Sequence, residues 1–237
     1  MQAQRTNLHY NLKNMDTKVK GIILKLTNIK EADKLASIFS LEQGVISANF
    51  RGVRKEKSKM KSSAQPFAFA EFNINQTGNF RVVTGANVID SFYGLTSNYN
   101  KTIMGFIVLD IIKTILPAEK PEPDLFVLSL DALKQIETTD EYQALLNFIL
   151  QFIQFCGMGL DMSLEKLVYL DRTTGDFVAS QGVNTMQIDK KVYSYLKQVA
   201  FAQKTDANEL TKKQALRLIN TILLIKFNAE IKAFEFI

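Results

Sequence analysis

Between Ile22 and Asp90 apolar and polar side chains alternate in short runs. Ile22, Leu24 and Leu26 fall on one face, with Lys25 and Thr27 on the other, which is the period-two signature of a half-buried strand. Leu35 to Ser40 is a second candidate. The turn at Gln43-Gly44 leads to a third, Val45–Arg51, where Ile46, Ala48 and Phe50 alternate with Ser47, Asn49 and Arg51. A fourth run, Phe67–Gln76, changes its apolar phase between Phe69 and Phe72, as strands do at a bulge. Gly78-Asn79 is a hairpin signal, and Phe80–Asp90 follows as a fifth strand. Five short strands with a long connection after the third predict a small closed barrel of the oligonucleotide-binding (OB) type.

Past Phe92 the period becomes helical. Tyr99–Leu116 is apolar nearly all round, which predicts a central buried helix. Pro117, Pro121 and Pro123 end it, and Asp124 is the expected N-cap of a helix over Leu125–Ile136. Glu141–Cys156 sets Leu145, Ile149, Phe152 and Cys156 on one face and closes on Gly157 and Gly159. Leu160–Thr185 is irregular, with a hairpin turn expected at Thr174-Gly175. Two more helices are expected, over Asp189–Gln203 and Thr211–Asn228. The fold class expected is therefore α+β, an N-terminal five-stranded OB-fold barrel followed by an all-helical C-terminal domain. Its boundaries are expected at 18–95 and 96–237, after a flexible polar extension over 1–17 in which Met15 is a candidate start and His9 has no structural role.

Charge sharpens this picture. The formal net charge is +5, but up to Leu95 there are 14 Lys and Arg against 7 Asp and Glu, whereas from Thr96 on there are 15 against 17. The basicity thus belongs to the barrel, where a nucleic-acid face is sought. It is concentrated in the connection after the third strand: Arg51, Arg54, Lys55, Lys57, Lys59 and Lys61 against the single acid Glu56, with Gly52, Ser58, Ser62 and Ser63 among them. This reads as a mobile loop whose charge suits a polyanion. With Lys20, Lys25 and Arg81 it forms the candidate DNA-binding set. Contact with ~4–6 phosphates gives a salt slope of about −3 to −4 for single strands. Phe50, Phe67, Phe69, Phe72 and Phe80 are candidates for base stacking, although a small barrel needs most of them as filling.

Other chemistry is missing. Cys156 is the only cysteine and His9 the only histidine, so neither an intrachain disulfide nor a structural zinc site of about four Cys/His ligands can be assembled. Cys156 lies in an apolar run and reads as a core residue. No phosphate-cradling glycine motif occurs. Glu31 and Asp33 are better explained as capping or pairing groups beside Lys30 and Lys34 than as a catalytic pair. Catalysis, cofactors and metal are not expected. The longest apolar region, Ile103 to Leu116, is interrupted by Gly105, Asp110 and Lys113 and is shorter than the ~20 residues of a membrane span. The absence of a signal-like N-terminus and the single cysteine fit a cytoplasmic protein.

These pieces, in this order, resemble the RecO family of bacterial recombination mediators. The likeness rests on Val19–Lys25, the Glu-Ala-Asp-Lys of Glu31–Lys34, Ser37–Gly44, the run Arg51-Gly-Val-Arg-Lys, Ser62–Phe67, Asp124-Leu-Phe126 and the closing Ala229–Phe236. It covers residues 18–237, densely in the first third. The resemblance implies a nucleoid-associated, non-enzymatic protein of DNA repair that binds single- and double-stranded DNA and anneals complementary strands. It further implies action with RecR to load RecA onto DNA coated by single-strand-binding protein (SSB), whose acidic, apolar C-terminal tail the family contacts. Such a tail requires an apolar slot rimmed by cations, for which Lys212, Lys213, Arg217 and Lys226 on the final helix are the candidates. Many members carry a four-cysteine zinc module where residues 157–187 lie here. This chain has no cysteine there, so zinc is not carried over, and Leu164, Leu167, Tyr169 and Phe177 are expected to hold the region instead. Two other readings stand beside this one: a generic OB-fold nucleic-acid-binding protein without mediator activity, and an adaptor whose basic loop docks an acidic protein.

Overall fold

The computed structural model describes residues 15–237. Five strands, β1 (Met15–Asn28), β2 (Lys34–Ser40), β3 (Gly44–Phe50), β4 (Phe69–Thr77) and β5 (Phe80–Asp90), close into a barrel of order β1-β2-β3-β5-β4. This is the expected OB architecture. The long β1 closes it: its first half pairs antiparallel with β4 and its second half with β2. Gly21 and Ile22 pair on both sides, so the strand bends there. A Cβ on Gly21 would stand 2.6 Å from Ile38 Cγ2 and 3.0 Å from the Phe39 carbonyl, so only glycine fits. β3 meets β5 in parallel at Asn49 and Val82 and completes the ring. β1 begins at Met15, so residues 15–17, placed in the extension from sequence, pair with β4. His9 lies outside the described residues.

The bulges explain one mistaken expectation. In β1 the register shifts between Ile23 and Lys25, and four consecutive residues, Gly21 to Leu24, are buried. Both faces of the strand are covered. Ile23 and Val19 point into the barrel with Ile38, Ile46, Phe50, Phe72 and Ile74. Ile22 and Leu24, expected on one face with Leu26, join the core of the helical part, whereas Leu26 packs against the barrel interior. In β4 the shifts against β5 fall at Phe69/Ala70 and Asn73/Ile74, bracketing the expected phase change.

The helices are α1 (Tyr93–Thr96), α2 (Tyr99–Ile115), α3 (Pro123–Thr138), α4 (Glu141–Phe155), α5 (Lys190–Ala200) and α6 (Glu209–Phe227), followed by a 3-10 turn at Lys232–Phe236. Asp124 is not the cap of α3. Glu122 holds that position without a side-chain cap bond, Pro123 opens the helix, and Asp124 sits in its first turn, where a carboxylate favours the dipole. Side-chain caps are instead made by Asn98 on α2, Asp140 on α4, Asp189 on α5 and Asn208 on α6.

The irregular stretch between α4 and α5 adds a small sheet to the helical domain. Its strands, β6 (Tyr169–Asp171), β7 (Phe177–Val178) and β8 (Thr185–Gln187), run in the order β7-β6-β8. Gly175 turns the β6–β7 hairpin at φ 76°, as expected. Met162, Val168, Leu170, Phe177 and Ile188 insert into the main helical core, and Phe177 meets Tyr193 edge to face at 5.4 Å. Tyr169 is buried and Leu164 half-buried, but Leu167, expected among the staples, is exposed. Among the described residues no three His, Cys, Asp or Glu side chains are grouped to hold a metal. Apolar insertion is what fixes this region.

Barrel and helices share one dry seam. Phe126, in the first turns of α3, lies between Phe39 of β2 and Phe69 of β4, with ring centroids at 5.4 and 6.0 Å. Phe67 leans on Phe106 of α2 at 4.8 Å, and a Cβ on Gly105 beneath it would come within 2.8 Å of the Phe67 ring. A second joint lies at the α2–α3 connection: Val45 bridges Ala118, and Gly44, at φ 71°, leaves room for the Lys120 backbone, which a Cβ would strike at 2.1 Å. Truncating Phe126→Ala is expected to cost about 3–5 kcal/mol in urea unfolding, the range for a buried aromatic. A loss below ~1 kcal/mol would show that the seam does not carry the junction.

Candidate nucleic-acid interface

The basic connection between β3 and β4, expected as a mobile loop, is folded into successive hydrogen-bonded turns. Its entrance is pinned by Asp33, whose Oδ1 accepts the Gly52 N–H at 2.7 Å, while the Arg54 N–H donates to the Ala32 carbonyl at 3.0 Å. This is the role of the Glu31/Asp33 pair: Asp33 caps the loop and Glu31 stays exposed. Successive turns follow, with Lys55 N–H to Gly52 O and Ser58 N–H to Lys55 O, both 3.1 Å. The Ser63 hydroxyl donates to the Met60 carbonyl at 3.0 Å. Val53 and Ala64 are buried in the barrel interior. At the exit, Phe67 N–H donates to Ile23 O, and Ile23 N–H to Ala68 O, so the loop adds to the edge of β1. Phe67 reaches this position at φ 67°, a costly conformation held by the seam around its ring.

Anchored at both ends, the loop turns all six of Arg51, Arg54, Lys55, Lys57, Lys59 and Lys61 to solvent. None forms an ion pair among the described residues. The other predicted cations differ. Lys20 and Lys25 are exposed but stand on β1 outside the loop. Arg81 is committed: its Nη1 donates to Glu119 Oε1 at 2.8 Å and its Nε to Gln76 Oε1 at 3.2 Å. That hydrogen bond and the guanidinium charge hold the Glu119 carboxyl below its usual range. Arg81 therefore ties β5 to the α2–α3 connection rather than offering a free charge. Of the five phenylalanines considered for stacking, Phe50, Phe67 and Phe72 are buried and Phe69 packs on the helices; Phe80, 78% exposed at the β4–β5 hairpin, is the one left for a base.

The four candidate cations on α6 are not brought together. Lys212 pairs with Asp140 at the start of α4 and lies 6.0 Å from the Tyr142 ring centroid. Lys213 pairs with Glu209 at 2.8 Å. Lys226, at the far end, pairs with Asp176 of the small sheet, its side chain only 6% exposed. Only Arg217 is both exposed and unpaired among the described residues. Lys212 and Lys226 are also about 21 Å apart along a helix that rises 1.5 Å per residue, so no single slot has them as its rim. Two of the acids, Asp140 and Asp176, sit in distant elements and were not visible in the sequence pattern; Glu209 lies one turn before Lys213 on α6 itself.

An apolar slot with cations beside it exists elsewhere. A 540 Å³ cavity between β1, α2 and the closing 3-10 turn is walled by Ile103, Phe106, Leu109 and Phe236, with Lys25, Lys113 and Lys232 around it. Asp110 and Glu230 also border it. The one signal that pointed there was the closing segment Ala229–Phe236. Among the described residues no helix is long and apolar enough to cross a membrane.

A family model described as "Recombination protein O N terminal" matches residues 15–92, and "Recombination protein O C terminal" matches residues 96–232. The chain belongs to the recombination protein O family. The relatives it resembles include "DNA repair protein RecO" of Caldicellulosiruptor saccharolyticus, 25% identical over 227 residues, 91% of each chain. The Bacillus subtilis protein of the same description is 29% identical over 164 residues, 69% of this chain and 64% of that one. The Acetivibrio thermocellus protein is 30% identical over 123 residues, 52% and 49% respectively. Membership of this family makes it a DNA repair protein.

The interhelical ion pairs set an acid limit on the fold. At Asp140 burial opposes ionisation, but the hydrogen bond from the Lys212 ammonium and that from the Gln143 N–H outweigh it and hold the carboxyl below its ordinary 3.8. Asp176 is lowered in the same way by Lys226 and the Thr174 hydroxyl. A carboxyl lowered by folding stabilises above its unfolded pKa, and that contribution is lost as pH falls through the folded value. The melting temperature is thus expected to fall as the pH drops below about 4. Asp140→Asn should start lower at neutral pH and lose less on acidification. Parallel pH profiles for the two proteins would refute the assignment.

Proposed function

We propose that this chain is a recombination mediator that binds single- and double-stranded DNA through its basic loop, anneals complementary strands and, with RecR, helps load RecA onto SSB-coated DNA. The observation that carries the reading is the set of six exposed loop cations, free of carboxylate partners among the described residues, on the OB barrel of a recombination protein O chain. Cations that touch the sugar–phosphate chain fix a strand without reading it, and they leave base edges free. Two strands held this way lose much of their mutual repulsion and remain able to pair. No bond is made or broken in this scheme; the work is binding and exchange. The slot of Ile103, Phe106, Leu109 and Phe236, with Lys25, Lys113 and Lys232 beside it, suits an acidic tail ending in phenylalanine better than the α6 cations do. DNA binding would also place the protein at the nucleoid.

The function is tested by RecA filament formation on SSB-coated DNA with this protein and RecR, each alone and together. Faster loading only with both is expected; loading that is indifferent to this protein would end the mediator reading. The loop is tested by a Lys55→Glu, Lys57→Glu, Lys59→Glu variant. Its annealing rate is expected to fall about tenfold or more and its single-strand salt slope by ~2, at about 0.7 per phosphate contact. Arg81→Met, by contrast, should leave the slope unchanged and lower stability. Equal effects of the two variants on the slope would contradict the division between free and committed cations.

A further inference from the structure

At the foot of the basic loop the barrel leaves a cavity of 410 Å³ with an unusual lining: three cations and two side-chain amides, and no carboxylate. The cations are Lys34, Arg54 and Lys61; the amides are Asn28 and Gln65. The floor is Val53 and Ala64, both fixed in the barrel interior. Lys34 opens β2, where it stands opposite Asn28 of β1 on one side and Phe50 of β3 on the other. The cavity therefore sits where three paired strands end, on a base that cannot easily shift.

The cations in this pocket are held but not neutralised. Lys34 Nζ donates to the Ala64 carbonyl at 3.4 Å, Arg54 Nη1 to the Lys30 carbonyl at 3.4 Å, and Lys61 Nζ to the Glu56 carbonyl at 3.0 Å. The Gln65 amide donates to the Lys61 carbonyl at 3.2 Å. Each bond positions a charged or polar head with a neutral acceptor and leaves other donors of the same head unused. The acids close to it in sequence are not among the lining residues: Asp33 accepts from Gly52, and the Glu31 and Glu56 side chains are exposed. Converging positive charge with no counter-charge is unfavourable for the empty fold and is offset when a dianion or monoanion enters.

We infer that this cavity is the seat of one backbone phosphate, at which a nucleic-acid strand is gripped while the outer loop cations Lys55, Lys57 and Lys59 follow its neighbours. This rests on the nucleic-acid reading above and adds to it a fixed point, with Lys34, Asn28 and Gln65 as contacts that the linear basic run did not reveal. Polar, concave and lined by three cations without a carboxylate, the pocket takes a tetrahedral oxyanion. Its 410 Å³ also leaves space for the attached sugar.

The test follows side-chain and backbone NMR signals of the full chain during separate titrations with inorganic phosphate and with the oligonucleotide dT8. Saturable shifts at Asn28, Arg54 and Gln65 with phosphate, reversed by competing dT8, are expected. In Lys34→Met both responses should be lost at these residues, with dT8 affinity about tenfold weaker, the scale of one charged hydrogen bond. Lys191→Met, at an exposed cation on α5 outside both pocket and loop, should keep them. If dT8 binds and these signals stay still with both ligands, the seat is wrong while the function stands. If phosphate saturates the pocket and dT8 binds without displacing it, the cavity is a free-anion site and the strand assignment falls. If dT8 does not bind at all, the functional reading fails, and with it the strand assignment.

Discussion

The structure depends on an OB barrel that is covered on one side. A free-standing barrel of this size turns polar residues outward from every strand. Here Ile22, Leu24, Phe39 and Phe67 leave the barrel's wall and enter the same apolar cluster as the buried faces of α2, α3 and α4. Burying such side chains contributes roughly 1.5–3 kcal/mol apiece, so the two parts are stabilised together. What the seam covers is unavailable for ligand. The loop between β3 and β4 and the open end of the barrel are what remain, and the uncompensated charge has collected there.

The division of cations into free and committed follows from where the acids are. In the barrel the acidic residues are few, and two of them are used on backbone, Asp33 on Gly52 and Glu42 on the Lys20 N–H. In the helical part, acids and bases are nearly balanced, and the folded chain pairs them across long separations: Asp140 with Lys212 and Asp176 with Lys226. Cations of similar appearance in the sequence therefore have different roles. Lys212 and Lys226 on α6 hold α4 and the small sheet to the final helix; those on the loop are exposed.

Much of this was legible from residue order. Period-two alternation located all five barrel strands, because each has one face in a dry interior. The change to period 3.6 after Phe92 located the long helices. What escaped was anything decided by contacts across the seam. Alternation put Ile22, Leu24 and Leu26 on one face because a strand covered on both faces, with a bulge at Ile23/Lys25, has no distinct signature in one dimension. Asp124 looked like a cap because Pro123 marks a helix start, yet proline itself opens α3. Phe50, Phe67 and Phe72 cannot be told from stacking platforms until the barrel's volume is seen. Lys34 and Gln65 are separated by thirty residues and meet only because β2 begins where the loop returns.

The connection from Pro117 to Glu122 has one more implication. It is bridged to β3 at Val45 and Ala118, takes the Arg81 guanidinium from β5 at Glu119, and passes so close over Gly44 that no side chain fits between. Three attachments within a few residues leave no hinge. A pull on the barrel would therefore be passed to the helices through these attachments as well as through the covalent chain.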